Sequence, residues 1–268
     1  MHTHLIGILA ILLYLSATGL LALRLAGYVR LPGLGRPSVL GIGFAAVVLH
    51  AGALYPLLIS KSGLNIGIFN AASLIGLLTA SLLLLASLKR PLENLGLVIL
   101  PFAALTIALM FAYPSRHLLS AQSSWQLDLH VLLSLIAYSL LGIAAVQSIL
   151  LAIQDHQLKN RHPGGLIRAL PPLQVMEDLL FQMIYIGFAL LTLALLSGFF
   201  FLENIFAQHL VHKTVLSITA WGVFAVLIWG RWKFGWRGRS ALKWTLGGFV
   251  FLLLAYFGSK FVLEVVLQ

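Results

Sequence analysis

The 268-residue chain is 60% hydrophobic and only 9% charged, with a mean hydropathy of +1.01. Soluble domains carry about a quarter of their residues as charged side chains, so a water-soluble globule is excluded and the solvent is lipid. Cysteine is absent, which excludes thiol reduction, disulfide exchange and thioether attachment of a cofactor.

Apolar windows of about 20 residues, separated by charges, Pro or Gly, predict eight transmembrane helices. They fall at 4–26, 38–60, 66–88, 94–114, 125–154, 180–202, 212–232 and 243–266. The expected fold is an all-α, polytopic integral membrane protein forming a single helical domain over 1–268. Helices satisfy their own backbone in hydrocarbon, and the run Leu82-Leu83-Leu84-Leu85 lacks the alternation of a barrel strand.

At the start, Met1-His2-Thr3-His4 carries no basic cluster ahead of the apolar run, so no cleavable signal peptide is expected. Lys89-Arg90-Pro91 supplies the break between the third and fourth spans, and Pro101 predicts a kink in the fourth. The longest connection, 155–179, holds Pro163-Gly164-Gly165 and Pro171-Pro172. It reads as a loop with room for a short surface helix, not a second domain. Gly187, Ser197 and Gly198 in the sixth span, and Gly247 and Gly248 in the eighth, are small residues suited to close helix contact.

Orientation follows from the basic residues. Connections after the first, third, fifth and seventh spans hold Arg24, Arg30, Arg36, Lys89, Arg90, Lys159, Arg161, Arg168, Arg231, Lys233, Arg237, Arg239 and Lys243. Those after the second, fourth and sixth hold only Lys61, Arg116 and Lys213. Thirteen against three places the first set in the cytoplasm and both termini outside. The net charge of +10 is then explained by anionic headgroups at the cytoplasmic leaflet, and no nucleic-acid partner is needed.

Topology sorts the nine histidines. His156 and His162 fall in the cytoplasmic loop and are expected to be solvated, and His2 and His4 sit on an end expected to fray. His117, His130, His209 and His212 fall at outer helix ends or outer loops, while His50 lies inside the second span. Neutral imidazole ligates haem iron and other metals, so several histidines on one face admit such a site. Each one taken singly is equally served by water or a carbonyl. His209 and His212 are three apart but bring no acidic partner or third ligand, which argues against zinc or di-iron. His130 follows Trp125 and Asp128, and Ser134, Ala137, Leu141, Ala145 and Ser148 continue its helical face, a stripe that suits helix packing or a flat ligand. His50 needs a hydrogen-bond partner or a ligand in the hydrocarbon layer. Lys260 and Glu264, four apart, are expected to pair. There is no phosphate-binding glycine loop, nucleophile elbow or HExxH, so no enzymatic activity is expected.

The stretch Ser124-Trp125-Gln126-Leu127-Asp128-Leu129-His130-Val131, followed by Ser134 and Ala137-Tyr138, resembles the helix of cytochrome c assembly proteins (the CcsA/CcmC superfamily) that opens on a Trp and an external haem-ligating His. Glu177-Asp178-Leu179, Gly187-Phe188, Leu191-Thr192 and Leu196-Ser197-Gly198 resemble the family's next helix. So do Thr219-Ala220-Trp221, Gly235-Trp236-Arg237-Gly238 and Tyr256-Phe257-Gly258 their counterparts. The resemblance spans roughly 40–268, and before 120 it rests on His50 and the segment Gly63-Leu64-Asn65 to Phe69, similar to HemX-type relatives.

The resemblance implies a bacterial inner-membrane protein that binds or moves haem at its outer face during cytochrome c assembly, with other membrane or assembly proteins as partners. His130 would be one axial ligand to haem iron, His212 or His50 the other, with Trp125 and Trp221 lining the slot. The chain also departs from the family. The tryptophan-rich loop ahead of the seventh span is reduced here to Phe201–Thr214, which keeps only Lys213-Thr214, a family membrane histidine aligns with Trp229, and an external one falls near Leu267. Only His130 keeps a family ligand position; His50, His209 and His212 would be replacements. Two other readings stand beside this one: a haem-free accessory or regulatory subunit, and a small-ion or solute transporter built around His50, Lys260 and Glu264.

Overall fold

The computed structural model describes residues 2–27, 35–60, 63–114, 118–120, 125–160, 170–201 and 211–258. Eight of its helices are long and apolar enough to cross a membrane, in the order expected from sequence. Their contacts group them into two compact units.

Unit 1 holds α1 (His2–Leu25), α2 (Arg36–Leu58), α3 (Ile68–Lys89) and α4 (Gly96–Ala112), the last preceded by a 3-10 turn at Glu93–Leu95. α1 lies against α2 and α4, and α3 against α4 and α2. The core is built from side chains such as Leu21, Leu54, Leu83, Ile99 and Ile107, while Leu12, Val48, Leu85 and Leu105 project outward as lipid-facing residues do. α1 begins at His2, and the His4 ring lies 4.5 Å from that of Phe111, so the end expected to fray is helical.

One feature of unit 1 is absent from the all-helical expectation. Ile59–Ser60 (β1), Gly63–Asn65 (β2) and Leu118–Ser120 (β3) form a three-stranded antiparallel sheet at the helix ends. Its register is Ile59 with Leu64 in the first pair and Leu64 with Leu119 in the second. The change of structure starts where Pro56, inside the last turn of α2, removes a backbone donor, and Ile59 is already extended at φ −102°. Pro101 remains inside α4.

Unit 2 holds α5 (Trp125–Lys159), α6 (Leu173–Phe201), α7 (Val211–Phe234), α8 (Gly238–Leu253) and a π-helical turn at Leu254–Gly258. Contacts of His130 with Ala194, Leu141 with Gly187 and Gln147 with Met176 descend α6 as they ascend α5, so the two helices run antiparallel. Gly187 permits this approach: a Cβ there would stand 2.7 Å from Leu141 Cδ2.

α5 runs five residues past its predicted end and α6 starts seven before its predicted start. Residues 155–159 and 173–179 of the expected loop are therefore helical, and 161–169, which leave room for the short surface helix, lie outside the described residues. The same holds for the Lys260–Glu264 pair.

Candidate functional site

α5 enters on Trp125, whose ring is two-thirds exposed and lies 6.1 Å from that of Phe201 at the end of α6. Six positions into the helix, the half-buried His130 turns its Nδ1 toward α6, 2.9 Å from the Ala194 carbonyl and 3.1 Å from Ser197 Oγ. The proton can be assigned from these partners. A carbonyl only accepts, and the Ser197 hydroxyl already donates to the same Ala194 oxygen at 2.8 Å. Nδ1 therefore carries the hydrogen and donates it, so that in the neutral ring the lone pair is on Nε2. Among the described residues, Nε2 has no hydrogen-bond partner. A backbone carbonyl behind Nδ1 is the arrangement that orients an imidazole for metal ligation through Nε2.

One turn before His130 on the same face, Gln126 keeps its Oε1 buried without a donor among the described residues. Such an atom costs free energy unless something supplies a hydrogen bond, and a ligand against His130 is one way to do so.

Trp221, on α7, is anchored to α6: its Nε1–H donates to Thr192 Oγ1 at 2.9 Å and its ring stacks on Phe188 at 5.5 Å. Thr192 lies five residues from Ser197, about 7.5 Å along α6, so Trp221 sits deeper in the unit than His130. His212 is exposed in the first turn of α7. α7 starts at the end of unit 2 where α6 stops, the same end that carries His130. His209 lies outside the described residues.

His50 belongs to unit 1 and is fully buried. Both of its ring nitrogens are engaged, Nδ1 with Tyr14 Oη at 3.3 Å and Nε2 with Ser73 Oγ at 2.9 Å. The hydrogen-bond partner expected for it is thus a pair of hydroxyls from α1 and α3. Neither Tyr14 nor Ser73 stands out in the sequence, because their spacing from His50 becomes meaningful only once three helices are aligned. Ser197 appears there only as a small packing residue for the same reason.

The opposite end of unit 2 explains the other quoted motifs. Glu177, buried on α6, accepts from Arg237 Nε at 2.7 Å and from the backbone N–H of Gly238 at 3.1 Å. A carboxylate thus caps the N-terminus of α8, whose own residues supply no side-chain cap. Gly238 has φ +50°, a conformation that favours glycine. Arg231 reaches Asp178 at 3.9 Å, covers the Phe181 ring at 4.4 Å and donates to the Trp236 carbonyl at 3.3 Å.

Among the described residues there is no group of three or more His or carboxylate side chains that could share a metal ion. A lone oriented imidazole, one turn after the Trp125 that opens α5, fits a cofactor that brings further ligands of its own.

Residues 41–267 match the family described as cytochrome C assembly protein. The chain is 34% identical to the inner membrane protein YpjD of Escherichia coli (strain K12) over 265 residues, covering 97% of this chain and 99% of that protein. It is 24% identical to protein HemX of Brevibacillus brevis over 131 residues, covering 48% of each chain. No solved structure matches it. With its eight membrane-crossing helices and this inner-membrane relative, the protein is a multi-pass inner-membrane protein. The chain belongs to the cytochrome c assembly protein family.

Proposed function

We propose that the protein binds haem through His130 and holds or passes it on during cytochrome c assembly, with no catalytic residues of its own. The observation that carries this reading is the fixed tautomer of His130: Nδ1 donates to Ala194 O, which leaves the Nε2 lone pair as a ready ligand. The buried, undonated Gln126 Oε1 beside it and the Trp125–Phe201 pair at the entrance suit a planar, partly polar ligand. His212, exposed at the same end of the unit, is the second axial ligand in this reading, because His50 has both nitrogens committed. Haem, when bound, would supply an iron that the imidazoles of His130 and His212 would hold. The thirteen-to-three distribution of Lys and Arg supports an orientation with this end, and both chain termini, outside the cytoplasm.

The test is the absorption spectrum of the purified protein titrated with haem. The wild type should give a Soret band characteristic of two imidazole ligands. His212→Ala should convert it to a five-coordinate spectrum, and His130→Ala should remove most of it. Ser197→Ala removes the hydroxyl that shares the Ala194 carbonyl but keeps the Nδ1–Ala194 hydrogen bond, so it should weaken haem binding by less than the roughly tenfold expected for loss of a ligand's supporting hydrogen bond. An unchanged spectrum in His130→Ala refutes the assignment. The haem-free accessory reading draws on Trp229 at a family histidine position; it would be supported by a wild type that takes up no haem yet co-purifies with a stoichiometric membrane partner.

A further inference from the structure

At the end of unit 1 where α1 stops and the 3-10 turn leads into α4, a cleft of about 180 Å³ is lined by Arg24, Glu93, Asn94 and flanking Leu and Pro side chains. Sites for drug-sized ligands run to roughly 300 Å³ and above, so this one is too small for a porphyrin or a nucleotide. Its polar groups are incompletely matched within the protein. Glu93 turns Oε1 toward Arg36 Nε at 3.4 Å, but its buried Oε2 has no donor among the described residues. Arg36 cannot supply a second contact cheaply, because its guanidinium also donates to the carbonyls of Ser87 and Arg90. On the same cleft, Arg24 is half-buried, and among the described residues its guanidinium has no ion-pair or hydrogen-bond partner. Asn94, 7% exposed, adds a carboxamide to the wall.

An anion alone would meet the undonated carboxylate oxygen, and a cation alone would meet Arg24. A ligand that carries both an anionic group and an N–H donor satisfies both at once. The place is also informative: these residues lie at the ends of membrane-crossing helices, beside Arg36, Lys89 and Arg90, where lipid headgroups sit. We infer that this cleft is a binding site for the zwitterionic headgroup of phosphatidylethanolamine, with the phosphate on Arg24 and the ammonium donating to Glu93 Oε2. The inference is independent of the haem reading, since it concerns the other unit and none of the residues assigned to haem.

Native mass spectrometry of the full-length protein in an equimolar mixture of phosphatidylethanolamine, phosphatidylcholine and phosphatidylglycerol tests it. Phosphatidylcholine has the same phosphate but no N–H donor, and phosphatidylglycerol has no ammonium. The wild type should retain one phosphatidylethanolamine about tenfold over either, the size of one charge-assisted hydrogen bond. Glu93→Leu, which leaves no acceptor, should erase the discrimination against phosphatidylcholine, and Arg24→Gln should weaken retention of all three. Equal retention of phosphatidylethanolamine and phosphatidylcholine by the wild type overturns the inference without any variant. So does a preference that survives Glu93→Leu.

Discussion

Replacing Glu177 with alanine should loosen α8 from α6. The carboxylate makes two charge-assisted hydrogen bonds, to Arg237 Nε at 2.7 Å and to the Gly238 N–H at 3.1 Å, and the second caps a helix that has no cap of its own. Hydrogen bonds to charged groups contribute about 1.5–3 kcal/mol each and an N-cap about 1 kcal/mol. The Arg237 side chain is 52% exposed, so water recovers part of its loss. The expected cost is therefore about 2–4 kcal/mol for Glu177→Ala and about half that for Glu177→Gln, which keeps a neutral acceptor for Gly238. At about 2–4 °C per kcal/mol for a chain of this size, Tm should fall by roughly 5–12 °C for the alanine variant. Thermal unfolding in detergent followed by tryptophan emission reads this directly, since Trp236 and Trp244 stack at 5.5 Å beside the clamp. Arg237→Ala should cost less in the Glu177→Ala background than alone, with a coupling of about 1–2 kcal/mol. A Tm within about 1 °C of wild type, or an additive cycle, would refute the clamp.

Removing either hydroxyl beside His50 leaves one nitrogen of a fully buried ring without its partner, so Ser73→Ala and Tyr14→Phe should each destabilise unit 1 by about 1–3 kcal/mol, measured as lost thermal stability, while leaving any haem spectrum intact. A changed spectrum in Ser73→Ala would return His50 to the ligand set. Gly187→Val drives a branched side chain into Leu141 and should cost about 1–3 kcal/mol or more by overpacking; cysteine cross-linking between α5 and α6, introduced into this cysteine-free chain, should show a shifted pairing pattern. An unshifted pattern at full stability would mean that α5 and α6 do not meet at Gly187.

The eight helices are legible in the sequence because lipid imposes a single demand, a long apolar run, and charges or prolines interrupt those runs between helices. The same criterion misplaces the ends of α5 and α6. Hydrocarbon thickness limits how long a helix stays apolar, not how long it stays helical, and 35 residues of α5 span about 52 Å against a core of about 30 Å. Gln154–Lys159 and Leu173–Asp178 continue the helices as polar or mixed ends. The sheet leaves no readable trace because two or three residues per strand cannot show a period of two. His130 is readable from its neighbours Trp125 and Asp128, but its tautomer is not. That depends on Ala194 and Ser197, more than sixty residues away, arriving at the right height on an antiparallel helix. Glu177 and Arg237 are likewise visible as residues and invisible as a pair.

The short sheet of unit 1 also acts as a parity check on membrane insertion. Asn65 pairs with Leu118 across a stretch that contains α3 and α4 and nothing else long enough to cross. Strands on opposite sides of a bilayer cannot exchange hydrogen bonds, so the pairing exists only if the chain has crossed an even number of times between them. Should α3 or α4 fail to insert, β3 would be stranded on the wrong side and β2 would keep an open edge. The three-residue strands thus contribute little to stability and a good deal to counting: they close only around a correctly threaded pair of helices.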